Sequence, residues 1–359
     1  MIFSRTPSSA GSPACPFITG PKIEDPRCFV GREEELHLLA ARMSGKQPVS
    51  VNVAGGRLSG KSSLLWYFTK EWARYVPDPA RFVVVYINLQ QVKPATEAEF
   101  YQALAQALRK LPAIEQRMPL RTALVKFSGG SREFAEMLDA LAGQGLLPVF
   151  CLDEFEKLFD HVEALSKDFY DRLRGLMSTS RLMLIITSRK PLEVCGAEQQ
   201  LNSAFFNMAQ LCELKDFSEE EAEELLLLPS RLAPALDAEE RRLARKWGSR
   251  QPHLLQLAAL CLFDAQQGGK DAAWAKKRFE AQRSQVKPDS VWTRPLGLVL
   301  RSCRTLLNPL AEDSEKCRKV LLNIVLPLAG LIVLACALLT GKVQLSAALD
   351  WLLKKTGLL

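Results

Sequence analysis

Gly55-Gly56-Arg57-Leu58-Ser59-Gly60-Lys61-Ser62 follows the β-branched run PVSVNVAG at 48–55 and precedes an amphipathic stretch from Ser62 to Tyr75. The octet fits G-x-x-x-x-G-K-[ST], and its residue types match one chemistry. Glycines let backbone N–H groups approach a β-phosphate, and a lysine reaches the β/γ oxygens. A serine offers its hydroxyl to Mg²⁺, and a helix starting near Gly60 adds its positive end. Strand, loop and helix in that order predict a parallel α/β sheet that opens onto a phosphate site. Gly55, Gly56, Ser59, Gly60, Lys61, Ser62 and Ser63 are therefore the nucleotide candidates on this loop.

Further strands and helices alternate downstream. RFVVVYINLQ at 81–90 reads as a strand, with helical patterns from about Glu97 to Leu111 and Ser131 to Ala142. LPVFCLDEFEKL at 147–158 is a buried-strand run ending in Asp153-Glu154. A parallel sheet brings that acidic pair to the same edge as the phosphate loop, so Asp153 is placed with Ser62 at the Mg²⁺ and Glu154 at the attacking water. RLMLIITSRKPL at 181–192 ends in Thr187-Ser188-Arg189, where Arg189 is positioned to sense a γ-phosphate. A last strand near Gln210–Leu214 leads to Ser218 and Glu221, an S-x-x-E capping box that opens a helix through about Leu228 and with it a helical region.

Composition sets the frame. The 359 residues are 48% hydrophobic and 24% charged, which excludes a disordered or fibrous chain. Nine scattered cysteines with no CxxC pair, and only three histidines, exclude a strong zinc signature and favour a reducing compartment. The net charge of +7 is local, with residues 1–236 at −2, 237–319 at +7 and 320–359 at +2. A basic stretch suits nucleic acid or an anionic membrane surface, and the next segment favours the membrane. Val320–Thr340 holds 21 residues without a charge. As a helix of about 31 Å it matches the roughly 30 Å hydrocarbon core. Arg301, Arg304, Lys316, Arg318 and Lys319 before it, against Lys342, Lys354 and Lys355 after it, place the large N-terminal part in the cytoplasm.

These readings give six segments. Residues 1–27 form a flexible leader, 28–217 a P-loop core, 218–286 a helical lid and 287–319 a basic juxtamembrane segment. Residues 320–340 form a single transmembrane helix and 341–359 an amphipathic tail.

Phe29-Val30-Gly31-Arg32-Glu33-Glu34-Glu35-Leu36 lies just before the first strand. It resembles the F-V-G-R-E-x-E-L box of the AAA+/STAND superfamily of P-loop ATPases. The order of box, phosphate loop, LDE strand, TSR strand and L-x-x-F-S-x-x-E-A is similar to the branch holding archaeal-type ATPases, origin-recognition-like AAA+ proteins and STAND switches. The resemblance covers about residues 27–285. It implies ATP and Mg²⁺ as cofactors, Val30 and Arg32 near the adenine, and a lid turn within Gly248–Leu255 that brings Pro252, and more loosely Arg250 and His253, to the nucleotide. It implies catalytic roles for Lys61, Asp153 and Glu154, and a switch acting through a homo-oligomer or a separate sensor or effector, in a setting such as bacterial conflict or antiviral defence. The alternative is a DNA-associated ATPase of origin-recognition or transposition type. Only about residues 287–319 remain for a DNA-reading module, too few for a winged helix, so nucleic acid is not the favoured partner.

Overall fold

The computed structural model describes residues 15–230 and 233–284. All of them belong to one compact unit, 1–287. The segments read as transmembrane helix, juxtamembrane stretch and tail lie outside the described residues. Among those described, no helix is long and apolar enough to cross a membrane.

Five strands form one parallel sheet: β1 (Val51–Ala54), β2 (Phe82–Asn88), β3 (Leu147–Asp153), β4 (Met183–Ser188) and β5 (Gln210–Glu213), in the order β2-β3-β4-β1-β5. β3 beyond its first residue and all of β4 are buried on both faces, as a sheet covered by helices on each side requires. Alternation sorts their side chains. Phe150, Leu152, Leu184 and Ile186 join one core, and Val149, Cys151, Met183 and Ile185 the other. The first core is closed by the helices Glu97–Arg109, Ser131–Gly143 and Lys167–Ser178, and the second by Glu33–Ser44 and Lys61–Glu71.

Local signals fix the element starts. Thr96 caps Glu97–Arg109 through a hydrogen bond from the Glu99 N–H, and Ser218 with Glu221 forms the expected capping box at Glu219. Between β2 and β3 the chain adds three short helices that periodicity did not reveal: Leu89–Val92, which cuts short the strand expected over 81–90, and Pro112–Glu115 and Met118–Lys126, the last two each with a proline in the first turn. After β5 the helices Glu219–Leu226, Ala238–Gly248, Pro252–Gln267 and Ala272–Arg283 build a third core around Trp247, Leu255, Leu262 and Phe279. Gly248 is needed there, because a Cβ would lie 2.5 Å from the Leu255 Cα.

The leader corrects the expectation of a mobile segment through residue 27. From Cys15 onward it is a strap tied to both the lid and the phosphate-loop helix. Phe17 is buried against Phe263, the Ile18 N–H donates to Gln256 Oε1 at 3.0 Å, and the Ile23 N–H donates to Ser63 Oγ at 3.0 Å. The Trp66 indole N–H reaches the Glu24 carbonyl at 3.2 Å. A Pro-, Ser- and Gly-rich composition carries no periodic signal by which such packing could be anticipated.

Candidate functional site

β1 lies between β4 and β5, and the loop leaving its carboxyl end is the phosphate loop. Gly60 takes φ +94° as the cap of Lys61–Glu71, a left-handed conformation that glycine adopts without steric cost. A Cβ on Gly55 would lie 2.8 Å from Ser59 Oγ. Lys61 folds over the loop and donates to the carbonyls of Gly55 (2.8 Å) and Gly56 (2.7 Å).

Register brings the acid to the serine. Asp153, 1% exposed at the end of β3, accepts from Ser62 Oγ at 3.1 Å and Thr187 Oγ1 at 2.6 Å on one oxygen. Its other oxygen accepts from Tyr86 Oη at 2.7 Å and Asn88 Nδ2 at 3.4 Å. Burial, then the adjoining Asp153 charge, pushes the Tyr86 phenol well above its usual range, so it stays a donor. Thr187 also accepts from the Glu154 N–H at 3.0 Å, at a residue held in the left-handed region (φ 58°). The strand-end carboxylate is thus locked, while Glu154 lines an open cleft.

Arg57, Leu58, Ser59, Gly60, Lys61, Ser62 and Ser63 line that cleft from the phosphate loop. Val30 and Arg32 line it from the box, and Arg189 from the end of β4. Pro252, His253 and Gln256 close it from the lid, and Ile18 with Gly20, Pro21, Lys22 and Ile23 from the strap. Gly55 and Gly56 serve instead as carbonyl anchors for Lys61, and the Ser63 hydroxyl oxygen accepts from the strap. Burial lowers the His253 pKa, favouring the neutral ring. Arg250 does not line the cleft and faces Glu219 at 3.7 Å. Ser249, at φ 54°, turns the chain between Gly248 and Pro252.

Arg32 does more than line the cleft. Its guanidinium, 5% exposed, donates to the Ser59 carbonyl (3.4 Å) and the Lys215 carbonyl (2.8 Å), pairs with Glu35 (3.0 Å) and stacks on Phe217 (4.8 Å). Its backbone N–H donates to the Glu221 carboxylate at the start of the first lid helix. Gly31, at φ +70°, has room for no side chain, because a Cβ would lie 2.6 Å from Glu221 Oε1. Arg189 pairs with Glu156 at 3.1 Å. Burial raises the Glu156 pKa, and the nearby Glu154 charge adds to the rise. Its second oxygen, Oε2, has no hydrogen-bond partner.

The sequence model of the Novel STAND NTPase 1 family matches residues 22–268. The chain belongs to that family. No curated protein matches. Among solved structures, this family member is similar to a Walker-type ATPase of Pyrococcus abyssi, at 18% identity over 81% of both chains with a TM-score of 0.57. It is more distantly similar to the Aeropyrum pernix ORC1 protein in complex with DNA (16% identity, 72% of this chain and 66% of that one, TM-score 0.47) and to Drosophila ORC bound to DNA (13%, 77% and 70%, TM-score 0.47). The P-loop NTPase fold and nucleotide binding by this site follow from family and geometry together.

The residues present fit magnesium. Ser62 and Asp153 supply hard oxygen donors in direct contact. Among the described residues no cluster of three or more His, Cys, Asp or Glu offers a dedicated cage, and the ion of a P-loop site is shared with the nucleotide phosphates.

Proposed function

We propose that this chain is an ATP-binding and ATP-hydrolysing switch whose nucleotide state sets the position of its helical lid. The observation that carries the reading is Arg32: one side chain grips the phosphate-loop carbonyl of Ser59, the exit of β5 at Lys215 and the face of Phe217. Its own N–H holds Glu221 on the lid. A nucleotide that shifts the phosphate loop acts on the same residue that positions the lid, and such a shared element is what couples a site to a switch.

Lys61 would release the two loop carbonyls and turn to the β/γ oxygens, Ser62 and Asp153 would hold the metal, and Glu154 would orient water. Arg189 exchanges Glu156 for the γ-phosphate. A magnesium ion held there would supply neutralisation of the phosphate charge. Residues 320–340 anchor the protein in a membrane with the ATPase part in the cytoplasm, supported by the 21-residue uncharged run and the basic residues preceding it. The switch acts on further copies or on a separate effector, in a defence-type setting for which the family resemblance is the support.

The test is fluorescent-ATP binding to the full chain in mild detergent, beside Lys61→Ala. Micromolar binding that the substitution lowers at least about a hundredfold, the loss expected when roughly 3 kcal/mol of charge-assisted contact is removed, supports the site. Equal affinity would overturn it.

A further inference from the structure

The helix Met118–Lys126 packs inward through Leu120 and Leu124, which are 1% and 3% exposed. Its outer side is unusual. Met118 and Val125 are 66% and 58% exposed, the two most exposed large apolar side chains among the described residues. At about 100° per residue they stand roughly 20° apart on the wheel, within the outward arc, with Thr122 beside them. Arg121 lies roughly 60° to one side of Met118 and Lys126 roughly 80° to the other. Two apolar tips are therefore flanked by two cations.

The neighbouring chain strengthens the pattern. Residues 109–126 hold Arg109, Lys110, Arg117, Arg121 and Lys126 against the single acid Glu115. Ion pairs of the following helix join Arg132 to Glu136 and Arg181 to Asp139, and among the described residues none engages Arg121 or Lys126. Nucleic-acid phosphates would match the cations but leave Met118 and Val125 without a purpose. An anionic bilayer takes both, accepting the apolar tips at the headgroup boundary while lipid phosphates meet the cations.

We propose that the outer face of Met118–Lys126 docks the ATPase unit on anionic lipid headgroups. The inference rests on the membrane reading above for the nearness of a bilayer, and it makes lipid charge a second input to the switch. Each cation removed weakens such docking about fivefold, so reversing Arg121 and Lys126 together costs more than about 25-fold in partition.

Amide hydrogen exchange on the full chain tests it, in nanodiscs of phosphatidylcholine alone or with one-third phosphatidylglycerol. Expected is slower exchange of the amides from Arg117 to Phe127 only in the anionic discs. That protection is lost in Arg121→Glu/Lys126→Glu and in Met118→Ser/Val125→Ser, while the core strands stay protected in both. Equal exchange in the two disc types overturns the proposal, as does protection by a short DNA duplex without lipid. Alkaline carbonate extraction reads the anchor separately. Should the chain be extracted, flotation on the two vesicle compositions decides docking by itself: retention on anionic vesicles alone supports it, and no retention, or equal retention, refutes it.

Discussion

Gly31→Ala offers a test of the joint between nucleotide site and lid whose magnitude can be worked out. The alanine must adopt φ +70°, which costs a residue with a Cβ about 1 kcal/mol. It also places that Cβ 2.6 Å from Glu221 Oε1 and 2.9 Å from the Cγ and Cδ. Glu221 cannot swing aside freely, since its carboxylate accepts from the N–H groups of both Arg32 and Ser218. Losing the charge-assisted bond to Arg32 adds about 2 kcal/mol, for a total near 3. Gly145 supplies the control: it has the same φ of +70° and nothing within 4 Å of an added Cβ, so Gly145→Ala carries only the backbone cost of about 1 kcal/mol. In a unit of this size each kcal/mol shifts Tm by roughly 2–4 °C. Thermal unfolding of the full chain should therefore fall by about 6–12 °C for Gly31→Ala and about 2–4 °C for Gly145→Ala. Equal shifts would refute the argument that Glu221 is fixed by Arg32.

Other consequences follow from the same contacts. Asp153→Asn should remove the Mg²⁺ dependence of nucleotide binding in a titration with and without the metal, because an amide nitrogen would then face the hydroxyls of Ser62 and Thr187 or of Tyr86. Phe17→Ala, emptying a site buried against Phe263, should cost about 3 kcal/mol of lid stability in urea unfolding and loosen the strap. Glu156→Gln bears on pH. Since the folded pKa of Glu156 is raised, chiefly by burial, its protonated form favours the fold below the ordinary glutamate value near about 4.3. That contribution disappears as pH rises through the raised value. The variant should thus gain most in Tm over wild type at neutral pH, with the gain closing toward pH ~4.

The parts of the site set by local chemistry were legible in the sequence. The phosphate loop, the Asp153-Glu154 strand end and the Ser218–Glu221 box depend on residues adjacent in the chain, and each stands where its motif implied. The shell around Asp153 was legible only in part. Thr187 was singled out at a strand end, but Tyr86 and Asn88 reach the carboxylate because β2 pairs with β3 in a register that sets Asn88 beside Asp153. Arg32 was expected at the base, and it does border the cleft. Its grip on Ser59, Lys215 and Glu221 depends on segments up to 189 residues away, which no local pattern encodes. The strap was hidden for a similar reason, since a few anchors such as Phe17 and the Ile23 N–H hold a stretch with no period of its own.

The most direct test of the central claim is steady-state ATP turnover by the full chain beside Glu154→Gln, with a fluorescent nucleotide confirming that both bind. Turnover present in the wild type and lost in the variant, at unchanged affinity, is the predicted result. Binding by both proteins with equal turnover would contradict it.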